Sequence, residues 1–76
     1  MKILICDDHK IVREGLKQIL QQIKEVTLIS EAGDGNEAIN LLKGEAFDTM
    51  ILDISLPDKS GLEILQIVKD KWPSIN

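Results

Sequence analysis

Ile3-Leu4-Ile5-Cys6-Asp7-Asp8 decides the fold. Four apolar residues in an unbroken run, rather than alternating with polar ones, read as a strand covered on both faces, as in a parallel sheet. The run ends on two consecutive carboxylates. Further along the chain, residues 26–32 (Val-Thr-Leu-Ile-Ser-Glu-Ala) form a second, more polar stretch, expected nearer an edge of the sheet. Met50-Ile51-Leu52 forms a third, with Thr49 before it and Asp53 after it.

Helical patterns separate these strands. Val12, Leu16, Ile19, Leu20 and Ile23 recur at helical spacing and predict a first helix with those residues on its buried stripe. Asp34-Gly35-Asn36-Glu37 reads as a capping box, opening a helix that buries Ala38, Ile39 and Leu42 and stops near Gly44. Ser60-Gly61-Leu62-Glu63 repeats the device before a stripe of Ile64, Leu65, Val68 and Trp72, ended by Pro73. The order β-α-β-α-β-α with short connections predicts an α/β fold, a doubly wound parallel sheet with right-handed crossovers.

The 76 residues allow one small domain, of a size that buries only about 60% of its unfolded surface. Phe47 and Trp72 are the only aromatics, so the core is aliphatic and platforms for stacking nucleic-acid bases are absent. Nine Lys and Arg against thirteen Asp and Glu give a formal net charge of −4. Lys10, Arg13, Lys17 and Lys24 are scattered among acids, which argues against a direct nucleic-acid role. A single cysteine, Cys6, excludes an internal disulfide and reads as a buried, inert thiol. No run reaches the roughly 20 apolar residues of a membrane span, and the start passes into Asp7-Asp8 too soon for a signal peptide. A reduced, cytoplasmic protein is the expectation.

Ligands of open α/β sheets bind outside the carboxyl ends of the strands. Asp7 and Asp8 follow the first strand and Asp53 the third. If those strands are neighbours, three carboxylates converge, and a pair about 5 Å apart repels by roughly 3 kcal/mol at an effective dielectric near 20. A hard divalent cation relieves this, and Mg²⁺ suits one or two carboxylates, a backbone carbonyl and waters. Solvated loop acids are the plainer reading of any one of the three, but not of all three together. His9 has no second His or Cys to work with and reads as a partly exposed loop histidine.

Two rival motifs fail on physical grounds. Gly33-Asp34-Gly35-Asn36-Glu37-Ala38 fits the G-x-G-x-x-A of dinucleotide sites, making a small nucleotide-binding module using Gly33 and Gly35 the main alternative. Asp34 and Glu37 would set two negative charges where a pyrophosphate must sit. The D-x-D-x-T spacing of haloacid-dehalogenase-type phosphohydrolases is met neither at Asp7-Asp8-His9 nor at Asp53-Ile54-Ser55.

Cys6-Asp7-Asp8-His9, Asp53 after an apolar strand, and then Pro57 and Gly61 together resemble the receiver domain of bacterial two-component response regulators. Asp8-His9 followed by Val12-Arg13-Glu14-Gly15-Leu16 is similar to the NarL/FixJ subfamily, which carries a C-terminal LuxR-type helix-turn-helix. The resemblance implies a flavodoxin-like (CheY-like) fold, here the 2-1-3 half of a 2-1-3-4-5 sheet. It implies a signalling acceptor rather than an enzyme, with Asp53 as phosphoacceptor for a histidine kinase. Asp7, Asp8 and Asp53 with the Ser55 backbone carbonyl would hold Mg²⁺, while Pro57 and Gly61 shape the loop. Transcription would be controlled through an output domain, the only part to touch DNA.

Receivers of this kind also grip the phosphoryl group with a Ser or Thr after a fourth strand and a Lys after a fifth. Residues 1–76 are therefore expected to be a partial receiver, its first three βα units, truncated after the third helix. A non-catalytic interaction fragment is a further alternative. The outer side of the third strand is expected to lack a partner within the chain, and so to be covered by self-association or by residues outside this sequence.

Overall fold

The computed structural model describes residues 1–54, 56–58 and 60–76. Along the chain run β1 (Lys2–Cys6), α1 (Lys10–Gln21), β2 (Leu28–Ala32), α2 (Gly35–Gly44), β3 (Thr49–Leu52) and α3 (Gly61–Lys71). The strands form one parallel sheet, as the alternation of elements predicts, in the order β2-β1-β3 that the family resemblance implies. No helix among the described residues is long and apolar enough to cross a membrane.

β1 is central, and its four apolar residues are buried on both faces, from Ile3 at 3% exposure to Cys6 at 0%. Alternation along the strand divides them. Leu4 and Cys6 point into the main core with Ala38 and Leu42 of α2, Phe47, and Ile64 and Val68 of α3. Ile3 and Ile5 face the other way. Ile5 is in register with Glu31 on β2, and Glu31 is held by Arg13 and Lys17, so α1 covers that second face.

α1 covers it incompletely. Leu16 and Leu20 are half-buried, but Val12, Ile19 and Ile23 of the expected stripe are exposed, as is Ile11. The apolar stripe is continuous, but the contact of α1 with β2 covers only its Leu16 and Leu20 side. Leu65 departs from expectation likewise: Ile64 and Val68 are buried while Leu65 is exposed. β2 starts at Leu28 rather than at Val26, because its partner β1 starts at Lys2, paired with Leu28. One further rung, Thr27 N–H to the Met1 carbonyl, exhausts the partner strand.

The N-cap half of each predicted capping box forms. The Asp34 carboxylate accepts from the Glu37 amide at 2.8 Å, and the Ser60 hydroxyl oxygen accepts from the Glu63 amide at 3.2 Å. α2 ends at Gly44, and α3 ends at Lys71, before Pro73. The outer edge of β3 is not wholly without a partner, contrary to expectation. The Met50 amide donates to the Asn76 carbonyl at 2.9 Å, and the Asn76 amide donates to the Asp48 carbonyl at 3.1 Å. The last residues thus lie along the start of that edge, beside an apolar cavity of about 260 Å³ lined by Met50, Leu52, Leu65, Val68 and Ile75.

Gly61 fixes the approach of α3 to β3. Its amide donates to the Ile54 carbonyl at 2.6 Å, and a Cβ at this position would lie 2.3 Å from the Ile54 Cα and 2.7 Å from the Asp53 carbonyl oxygen. Those are backbone atoms and cannot swing aside. Gly15, mid-helix in α1, has nothing within 4 Å of the same position. Helix propensity alone favours Ala over Gly at either site by up to about 1 kcal/mol. Urea unfolding should therefore show Gly15→Ala raising stability by about that amount. Gly61→Ala should instead lower it by about 1–3 kcal/mol, the usual range for overpacking.

Candidate metal centre

The carboxyl ends of β1 and β3 lie side by side because Cys6 pairs with Leu52 and the Asp53 amide donates to the Cys6 carbonyl at 2.9 Å. On the other side of β1, the Asp7 amide donates to the Ala32 carbonyl at 3.0 Å. These rungs carry Asp7, Asp8 and Asp53 to one edge of the sheet, where the sequence predicts them. Single ligand atoms of Asp7, Asp8, His9 and Asp53 all lie within 4.8 Å of one another. Ser55, whose carbonyl is the remaining expected ligand, lies outside the described residues.

His9 is more than the bystander its isolation in the sequence suggests. It is exposed, as expected, but its Nδ1 lies 3.1 Å from Asp7 Oδ1 and 2.9 Å from Asp8 Oδ1. Its amide donates to Asp7 Oδ1 at 2.8 Å, a local turn that leads into α1. The hydrogen bond to Asp7, then the charge of Asp8, raise the His9 pKa above its ordinary value. Adjacency to two acids was the available signal. Arg13 also reaches the site: its Nη1 donates to the Asp7 carbonyl at 2.5 Å and its Nε to Glu31 Oε1 at 3.2 Å.

The G-x-G stretch faces its own acids. At the N-terminus of α2, Gly35 N–H donates to Asp58 Oδ1 at 2.8 Å and Asn36 N–H to Asp58 Oδ2 at 3.0 Å. With Glu37 N–H given to Asp34, three amides that would cradle a phosphate are already spent on carboxylates. Asp58 lies after β3, and no sequence signal marked it. Cys6 is buried, its thiol pushed up to about 12 by burial and then by Asp34, Asp58, Asp7 and Asp53, so it stays protonated and inert.

Three of the four gathered groups offer hard carboxylate oxygen and the fourth an imidazole nitrogen. The three carboxylates are close enough together to share one ion and suit Mg²⁺ better than the softer metals that select thiolates. Residues 3–76 match the response regulator receiver domain family. The chain belongs to that family. It is 40% identical over 70 residues to the transcriptional regulatory protein YdfI of Bacillus subtilis, covering 92% of this chain and 33% of that protein. It is 35% identical over 69 residues to the nitrate/nitrite response regulator protein NarL of Escherichia coli, covering 91% of this chain and 32% of that one. The fold superposes with a TM-score of 0.90 on the response regulator protein TrrA of Thermotoga maritima in complex with Mg²⁺–BeF, at 35% identity over 99% of this chain and 64% of that chain. The chain thus spans about a third of the length of the curated relatives it matches.

His9 is the only histidine, so its titration can be followed directly by NMR. In the metal-free protein it should titrate above the ordinary 6.5. Asp7→Asn should bring it back toward that value. Because the folded value is raised, the pairing supports the fold fully below pH 6.5 and is lost as pH rises through the folded value. Added Mg²⁺ should lower the His9 pKa by competing for the same oxygens.

Proposed function

We propose that this chain is the phosphoacceptor part of a two-component response regulator, comprising the first three βα units of its receiver. Asp53 would accept the phosphoryl group from a histidine kinase. The carrying observation is the gathering of Asp7, Asp8 and Asp53 at the adjoining ends of β1 and β3. A carboxylate oxygen of Asp53 forms the new bond to phosphorus as the bond from phosphorus to the kinase imidazole nitrogen breaks. Asp7, Asp8 and Asp53 would hold Mg²⁺, with the Ser55 carbonyl as a fourth donor. That ion supplies neutralisation of the phosphoryl oxygens that Asp53 must approach. Gly61 sets where Asp53 can stand, since the backbone of residues 53–54 rests directly against it.

The wider protein would be cytoplasmic and would control transcription, reaching DNA through an output domain of the LuxR type. The relatives' greater length and the naming of YdfI as a transcriptional regulator support this reading. Pairing of copies at the β3 edge would have to displace Asn76 from Met50.

Incubation with acetyl phosphate and Mg²⁺, read by intact mass, tests the proposal. Without the Ser or Thr and the Lys that receivers place after a fourth and a fifth strand, labelling of these 76 residues should be slow. It should need Mg²⁺, vanish in Asp53→Asn, and fall about a further hundredfold in Asp8→Asn, the scale seen when one charge stabiliser is removed. Labelling that survives Asp53→Asn would overturn the assignment.

A further inference from the structure

Outside the acidic cluster, one buried-side contact bears on how the cluster is built. Arg13, in the second turn of α1, is mostly buried, with its side chain 17% exposed. Its guanidinium works along two edges at once. Nη1 donates to the backbone carbonyl of Asp7 at 2.5 Å, and Nε donates to Glu31 Oε1 on β2 at 3.2 Å. Glu31 is steadied in turn by Lys17 Nζ at 3.5 Å. The Asp7 amide is already bound to the Ala32 carbonyl on the same strand β2. Both backbone polar groups of Asp7 are therefore tied, one directly and one through Arg13, to neighbouring residues of β2.

We infer that Arg13 is a positioning residue: by holding the Asp7 carbonyl against Glu31 it fixes the Asp7–Asp8 peptide, and so the distance of Asp8 from Asp53. This rests on the cation-site reading above. Arg13 touches no ligand oxygen in its role; it acts on the chain that carries two of them. The planar fork of the guanidinium serves two acceptors in different directions with one rigid group. A lysine ammonium, a single point on a flexible stem, keeps the charge without the fork.

Charge and positioning predict opposite signs. Removing a cation from beside an acidic site should by itself tighten Mg²⁺ binding. Loss of positioning should weaken it. The test is Mg²⁺ titration followed by amide shifts in ¹H–¹⁵N spectra, on wild type, Arg13→Ala and Arg13→Lys, together with ¹⁵N order parameters of the metal-free proteins. Arg13→Ala should weaken Mg²⁺ binding about tenfold and lower the order parameters of Asp8 and His9 while leaving Asp53 unchanged. Arg13→Lys should fail to restore either. Leu42→Ala, a core truncation far from the site, should lower Tm but leave the Mg²⁺ affinity alone, separating positioning from general loss of stability. Tighter binding in Arg13→Ala, or unchanged order at Asp8, would overturn the inference. Wild type that binds no Mg²⁺ would instead overturn the cation-site reading, and the order parameters would still decide the role of Arg13.

Discussion

One backbone hydrogen bond sets the geometry of the site: the Asp53 amide to the Cys6 carbonyl, the last rung between β1 and β3. Parallel neighbours lie about 4.8 Å apart, so extending that pairing by one residue sets Asp53 beside Asp7. Slipping the register by one would turn every side chain of β3 to the opposite face and take Asp53 with it. The packing of Met50 and Leu52 against the main core resists such a slip, because both would be turned away from it. The placement of Asp53 is thus held by packing, and among the described residues none is in a left-handed backbone conformation.

What that rung gathers is electrostatically unfavourable. Like charges at this separation repel by a few kcal/mol even with generous screening. Two neighbours relieve it in different ways. His9, exposed and paired to both Asp7 and Asp8, is a soft counter-charge that pH or a cation can remove. Arg13 is permanently charged and turned toward the backbone rather than the carboxylates. The cluster offers carboxylate oxygens of Asp7, Asp8 and Asp53 with a His9 nitrogen beside them, all within 4.8 Å of one another. Asp58 performs the matching service at α2, filling with a carboxylate the amides that would otherwise invite an anion.

Much of this was legible because it is local. An unbroken apolar run before Asp7-Asp8 marks a buried strand, and a cap followed three residues later by Glu marks a helix start; both depend only on neighbours in sequence. The gathering of Asp7, Asp8 and Asp53 at one sheet edge followed from strand-end placement alone. The burial of α1 was not legible. The spacing of Val12, Ile19 and Ile23 gives an apolar stripe, but whether anything lies across from it is a property of the tertiary structure. The start of β2 depended on where β1 begins, and the role of Asp58 on a contact between loops distant in sequence. Arg13 looked like one scattered cation among several, since only the fold brings Glu31 and the Asp7 carbonyl to it.

If the three strand-end carboxylates share one cation, the ion can be seen directly. The most direct measurement is anomalous diffraction from crystals soaked in Mn²⁺, which takes the oxygen donors that Mg²⁺ takes. One anomalous peak should appear, bounded by the carboxylates of Asp7, Asp8 and Asp53. A peak at Asp34 and Asp58 with none between the ends of β1 and β3, or no bound ion at all, would contradict it.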